Sequence, residues 1–208
     1  DFTTRLNDKH KLNYGINAFY YFLDPGSYQP FDERSLVVPD KLQREQALET
    51  AVYLSDTWDI TPSLSVEMGI RYGYYSALGP KDYYLYDPEK PRSVETITDS
   101  ISLAEGNMVA PYHAPEFRLS MRYAFSNDFS VKAGFNSMRQ NIHMLSNTTV
   151  IPPTDIWKLS DANIRPQKGW QAALGFYKNL MNNTLELSLE DITKIWTGIL
   201  IMLPMPVC

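Results

Sequence analysis

The chain has 208 residues and a net charge of −5, so it carries no basic stripe to displace the counterions of a nucleic acid. Its 14 Tyr, 9 Phe and 4 Trp lean towards strands and interfaces, and a single cysteine, Cys208, excludes a disulfide framework and a cysteine-based metal site. The opening DFTTRLNDKH is polar, unlike a signal peptide, and no run of 18 apolar residues could form a membrane helix, the nearest being GILIMLPMPVC, so any membrane crossing must be made by strands.

In chain order, residues 1–6 read as a short strand closed by a turn at Asn7-Asp8. In HKLNYGINAFYYFL, Leu12, Tyr14, Ile16, Ala18, Tyr20 and Phe22 alternate with polar or small residues, which predicts a strand over 10–23. A weaker alternation in ALETAVYLSDTW predicts 47–58. SLSVEMGIRYGYYSAL, with Leu64, Val66, Met68, Ile70, Tyr72 and Tyr74 on one face, predicts a long strand over 63–77. EFRLSMRYAF, FSVKAGF, WQAALGF and TLELSLE predict strands near 116–125, 129–138, 169–178 and 184–190. Seven alternating strands thus follow the short first one, and no segment has convincing helical periodicity.

Connections alternate as strictly as the strands do. Turns at 7–8, 59–62, 126–128 and 179–183 are short and rich in Asn, Asp or Pro. Between them lie three long connections, Asp24–Arg44, Gly79–Pro115 and Gln140–Lys168. Three such loops are unusual for a compact soluble sandwich. They are expected of an outer-membrane barrel, with short periplasmic turns, long extracellular loops and strands apolar on the lipid side. About 9–11 residues suffice for a tilted crossing, and Leu64–Tyr74 supplies that. Tyr72, Tyr74, Tyr20 and Phe22 then fall at the outer interface as an aromatic girdle. The fold class is therefore all-β: an antiparallel up-and-down meander of about seven strands, part of a transmembrane barrel and, by its strand number, an incomplete, open sheet.

ALETAVYLSDTWDITPSLSVEMGIRYGYY, through Glu49, Tyr53, Asp56, Trp58, Gly69, Arg71 and Tyr72, resembles the barrel of TonB-dependent outer-membrane receptors. A second block, carrying Arg118, Lys132, Asn136, Arg139, Gln140, His143, Leu145, Ser146, Asn147, Pro153, Thr154, Asp155, Trp157, Pro166 and Gln167, resembles those of Bacteroidota-type bacteria. The resemblance spans most of 45–190. It implies an N-terminal plug inside a barrel of roughly 22 strands, import of a scarce nutrient, energy delivered through TonB, and no cofactor or catalysis. No plug, no TonB box and no terminal strand ending in an aromatic are evident, so the chain is expected to be an internal fragment of the barrel, 1–190, unable to transport alone. Its partners would be outer-membrane lipid, the remaining strands, the plug and TonB. Residues 191–208 form an atypical apolar tail. With codons GAT ATT ACA AAG ATA TGG for Asp191–Trp196, a frame two bases later reads Tyr-Tyr-Lys-Asp-Met, as the family's strand end does, so a frameshift near Glu190 or Asp191 is expected; the alternative is a genuine apolar strand.

His10, His113 and His143 are scattered, without the spacing of a metal site or a triad. Glu67 and Arg71, four apart on one polar face, are expected to join a lumen-facing charge network with Arg118 and Arg122. Recognition should lie in the loops. Asp82, Tyr83, Tyr84 and Tyr86 combine rings with carboxylates in a way suited to a sugar or peptide; the same pattern also suits a loop strand packed on its neighbour. Trp157, in the element 153–157, is a further ligand candidate or a ring tucked against the rim. The competing reading is a soluble or surface-attached β-module that binds glycans or adheres to a surface.

Overall fold

The computed structural model describes all residues except 33, 36–39, 42, 92–93, 146–155, 182–183 and 199–208. Residues Ser146, Asn147 and 153–155 of the resemblance, turn residues 182–183 and the tail from 199 onward lie outside the described residues. The strands in chain order are β1 (Phe2–Arg5), β2 (His10–Leu23), β3 (Ser27–Tyr28), β4 (Asp40–Lys41), β5 (Glu45–Thr61), β6 (Leu64–Leu78), β7 (Lys81–Tyr86), β8 (Ile97–Leu103), β9 (Met108–Ser126), β10 (Phe129–Gln140), β11 (Ile142–Leu145), β12 (Ile156–Leu159), β13 (Gln167–Leu180) and β14 (Leu185–Thr197). Apart from one 3-10 turn at Val94–Thr96, there is no helix among the described residues, and so none long and apolar enough to cross a membrane.

Eight of these strands form one antiparallel sheet in the order β1-β2-β5-β6-β9-β10-β13-β14. Each is paired with its sequence neighbour in the sheet, so the sheet is a meander, open at β1 and β14. The other six form three separate ribbons, β3 with β4, β7 with β8 and β11 with β12. One ribbon lies in each long connection, and all three connections leave the sheet from the same end.

Register follows the alternation. Ile16 pairs with Val52, Val52 with Tyr72, and Ile70 with Phe117, so one face of the sheet is a continuous apolar surface. These side chains stay open: Ile16 is 73% exposed and Val52 53%. Aromatic rings border the surface. At the ribbon end stand Tyr20, Phe22 and Tyr72, all exposed. At the turn end, Trp58 stacks on His10 with centroids 5.4 Å apart, and Phe125 packs edge-on against Tyr123 at 4.6 Å. From Leu48, level with Tyr20, to Trp58 is about 33 Å of strand. Tilted about 40°, that spans ~25 Å, the height of a barrel's apolar band.

Five strands outrun the lengths read from the sequence, β10 and β13 by a few residues at their ends and β5, β9 and β14 by more. β5 begins at Glu45 and β9 at Met108, eight residues before the alternating run at Glu116. Pro111 and Pro115 hid that part of β9, since proline cannot donate to a ladder. The structure accommodates Pro111 with a bulge: Tyr75 pairs with Tyr112 but Ala77 with Val109, leaving two residues opposite Ser76, and Ala110 takes φ 51°; Pro115 stays in register with Tyr72, beyond the point where the ladder between β9 and β10 ends at Arg118. β14 continues to Thr197, but its alternation ends at Glu190: Asp191 and Thr193 stand opposite Leu174 and Ala172 on the apolar face.

Candidate functional site

The opposite face is polar and bears a wide, open recess of about 610 Å³ lined by Asn13, Tyr53, Glu67, Arg71, Arg118 and Asn136 among others. Alternation and register together put Glu67, Arg71, Arg118 and Arg122 on this one face. Arg71 sits between two carboxylates, Nη2 2.9 Å from Glu49 and Nη1 2.8 Å from Glu116. Glu49 also accepts from Tyr21 at 3.1 Å and from the Asn141 amide at 2.8 Å, while Glu116 accepts from the Arg139 backbone at 2.9 Å. Glu67 makes no ion pair among the described residues. Along a strand, four positions is about 13 Å, whereas a cross-strand neighbour is about 5 Å away. Arg71 therefore finds its partners on β5 and β9 and not on its own strand.

A second cluster, at the ribbon end, is more deeply buried. The Glu45 carboxylate accepts from Lys81 at 2.6 Å, from Lys158, and from the Leu159 backbone at 2.7 Å. Asp161 lies 3.2 Å from Lys81 and 3.6 Å from Lys158. Glu45 is 5% exposed and Asp161 3%. Two acids and two lysines balance, which is what makes burial of four charges tolerable. Burial opposes the charge on Lys158, but Glu45 and Asp161 beside it hold its pKa above the ordinary lysine value.

This cluster folds a strap onto the polar face. Tyr75 donates to the Ser160 carbonyl at 2.7 Å and Tyr112 to that of Asp161 at 2.8 Å. Both tyrosines belong to the polar face, so Lys158–Asp161 lies inside the curve of the sheet. Leu159, 2% exposed, packs on Ala47 and Tyr75 with Tyr21, Leu23, Tyr112 and Ile142 around it. His143 Nε2 lies 2.8 Å from Ser160 Oγ, while its Nδ1 is buried without a partner. Burial pulls the His143 pKa down, against the opposing pull of Asp161. The Ser160–His143 pair is sealed, with both residues at 1% exposure or less, so no substrate can reach it.

The loop candidates divide. Tyr83 is 2% exposed; burial, opposed by Lys81 and assisted by Asp161 and Glu45, pushes its phenol up to about 12. Asp82 accepts from Ser102 at 2.6 Å across its ribbon. Tyr86 ends β7, paired with Ile97. Tyr84, 40% exposed, and Trp157, 47% exposed, present open rings. Sequence reasoning missed Glu45, Lys81, Lys158 and Asp161. Nothing in their spacing joins residues up to 116 positions apart; only Glu49 and Glu116 could have been matched to Arg71 by strand parity. No group of three or more His, Cys, Asp or Glu is placed to hold a metal among the described residues.

A family model described as TonB dependent receptor-like, beta-barrel matches residues 1–191. Among solved structures, the chain is similar to the FrpB iron transporter from Neisseria meningitidis (F3-3 variant), with a TM-score of 0.58 and 15% identity over 93% of this chain and 27% of that one. It is also similar to the ferric-catecholate import receptor Fiu from K12 E. coli in its closed form, with a TM-score of 0.54 and 15% identity over 88% of this chain and 28% of that one. The chain thus spans little more than a quarter of these solved relatives. No curated protein matches.

Proposed function

The chain belongs to the TonB-dependent receptor β-barrel family, and from that premise we propose that it forms part of the wall of an outer-membrane receptor that captures a nutrient with its loops and admits it past a plug held in the lumen. Eight strands are about a third of the roughly 22 that close such a barrel. The free edges at β1 and β14 then pair with the remaining strands, because unpaired backbone is not tolerated in lipid. The single observation that carries this reading is the division of the sheet: a continuous apolar face outward, a polar concavity inward, and all three ribbons at one end.

In the full receptor, energy would arrive from TonB through the plug, and the ligand would first meet the ribbons. The open rings of Tyr84 and Trp157 are the proposed contacts, suited to stacking on a flat or sugar-like face. Tyr83 and Asp82 position that ribbon. Arg71 with Glu49 and Glu116 stiffens the lumen wall below. The family is one of receptors and transporters, and the role proposed for this segment is capture and housing without chemistry.

The dyad pattern ends at Glu190 and the family match at residue 191. Both support reading the sequence 191–208 as a departure from the family's strand end, as a shifted frame would produce, even though β14 stays paired with β13 as far as Thr197; sequencing the DNA across codon 190 tests that.

Cysteine labelling tests the main reading. In the full receptor with Cys208→Ser, a membrane-impermeant maleimide added to intact cells should modify Tyr84→Cys and Trp157→Cys. Asn127→Cys, in the turn between β9 and β10, should react only after the outer membrane is permeabilised. Equal reaction of all three in intact cells would sink the barrel orientation and restore the soluble or surface-attached module.

A further inference from the structure

The strap meets more than the wall. Lys81, the first residue of β7, has its side chain 8% exposed between Glu45, which begins β5, and Asp161 of the strap, at 2.6 and 3.2 Å. Its ammonium also lies 5.0 Å from the centroid of the Tyr83 ring. A wall strand, a loop ribbon and the strap therefore share one cation.

Asp161 extends the link. Its Oδ2 faces the two lysines, while its Oδ1 accepts from the backbone N–H groups of Asn163 at 2.8 Å and Ile164 at 2.9 Å, closing an Asx turn. That turn presents the Asn163 side-chain amide to the Tyr84 carbonyl, to which it donates at 3.2 Å. The β7–β8 ribbon is thus gripped at Lys81 and at Tyr84, on either side of the buried Tyr83, by groups of the strap and its turn. Alternation along β7 leaves the Tyr84 ring itself on the open side.

The charges bind the two segments to each other. Withdrawing the ribbon would leave Glu45 and Asp161, both buried, facing Lys158 alone, and an uncompensated buried charge is strongly unfavourable. Withdrawing the strap would take Asp161 from Lys81, Asn163 from Tyr84 and Leu159 from Tyr75. We propose that the β7–β8 ribbon and the strap open and close as one cooperative unit, coupled through Lys81, so that a ligand seated on Tyr84 keeps the strap closed. Such units are the usual grain of local opening in proteins. Coupling is reciprocal, so whatever stabilises the docked ribbon stabilises the strap by the same factor. The ligand's part rests on the receptor proposed above; the coupling rests on the contacts alone.

Hydrogen exchange of the full-length receptor in detergent micelles, read by mass spectrometry, tests the coupling. Lys81→Met alters no strap residue, yet exchange of the strap amides should rise roughly a hundredfold together with that of the ribbon. Leu159→Ala alters no ribbon residue, yet the ribbon should loosen with the strap. Asn163→Ala removes a hydrogen bond and no charge, and should speed both segments about two- to tenfold. Exchange within β6 and β9 reports whether each variant has assembled, and Asn163→Ala decides alone where the other two have not. If one segment loosens while the other keeps its parental rate, or neither responds, the two pack independently and the inference is overturned. The receptor reading survives that result, because the reaction of Tyr84→Cys, Trp157→Cys and Asn127→Cys with maleimide decides it separately.

Discussion

The Leu159 backbone N–H donates to Oε2 of Glu45 at 2.7 Å, joining residues 114 positions apart. That bond, with the two lysines on the same carboxylate, ties the end of the β11–β12 ribbon to the first residue of β5. The strap it holds lies against the polar face at the ribbon end of the sheet.

Glu45→Gln should loosen the strap. Breaking a buried ion cluster by removing one partner costs about 3–5 kcal/mol, here charged to local opening of Lys158–Asp161. Ser160, fully buried, reports it: with Ser160→Cys and Cys208→Ser, maleimide labelling should be slow in the parent and about a hundredfold to a few thousandfold faster with Glu45→Gln, each 1.4 kcal/mol being tenfold. Unchanged labelling would show that packing of Leu159, not the charge cluster, holds the strap.

Acid should open it too. His143 has a pKa lowered by burial, so the unfolded or opened strap binds the proton more readily. Its contribution to stability is complete above about 6.5, the ordinary histidine value, and is lost as pH falls towards the depressed one. Labelling of the same Ser160→Cys reporter, divided by that of an exposed cysteine at the same pH because only the thiolate reacts, should rise as pH drops below about 6.5 and lose that dependence in His143→Gln. A pH profile identical in the two would assign the effect to other groups.

Two glycines differ in what they tolerate. A Cβ on Gly15 would fall within 2.5 Å of the Tyr53 hydroxyl, whose ring covers that glycine. A side-chain ring can move, so Gly15→Ala should cost about 1–3 kcal/mol as overpacking, recovered in part by Tyr53→Ala. At Gly79 the obstacle is the Ala104 carbonyl, part of the backbone. Gly79→Ala should therefore be the worse substitution, with no side-chain change to relieve it. Heat-shifted electrophoretic mobility of the assembled receptor ranks the three variants.

The two faces of β6 should respond oppositely. Ile70→Arg puts a cation on the apolar face and should cost about 2–4 kcal/mol near the bilayer midplane. Glu67→Gln, three positions away on the polar face and without an ion pair, should be nearly silent. Urea titration of the receptor folded into vesicles measures both, and comparable effects would remove the distinction between lipid and lumen faces.

The existence, face and order of the eight strands of the sheet were readable because side-chain alternation has a period of two and every second turn is short; the six ribbon strands were not. Leu64 to Leu78 illustrates it: the residues that alternate are the residues that pair. Beyond the reach of alternation were the first half of β9, where Pro111 and Pro115 break the pattern but a bulge at Ala110 absorbs the first and the second keeps its register with Tyr72, and the fate of the long connections. Tyr83 and Tyr84 are neighbours of identical type, and only the ribbon's packing buries one and exposes the other. Glu67 and Arg71 share a face but not a bond, because strand geometry separates positions four apart.

The sequence by itself determined an antiparallel, two-faced wall with three long connections at one end, since local periodicity and turn chemistry need no knowledge of distant residues. Only the tertiary structure decided what those connections do: that Glu45, Lys81, Lys158 and Asp161 meet, that a strap lies inside the wall, and that Arg71 is shared by Glu49 and Glu116. The reason is physical. A buried charge must find its opposite wherever the folded chain supplies it, and strand pairing brings together residues whose separation along the chain carries no signal of the contact.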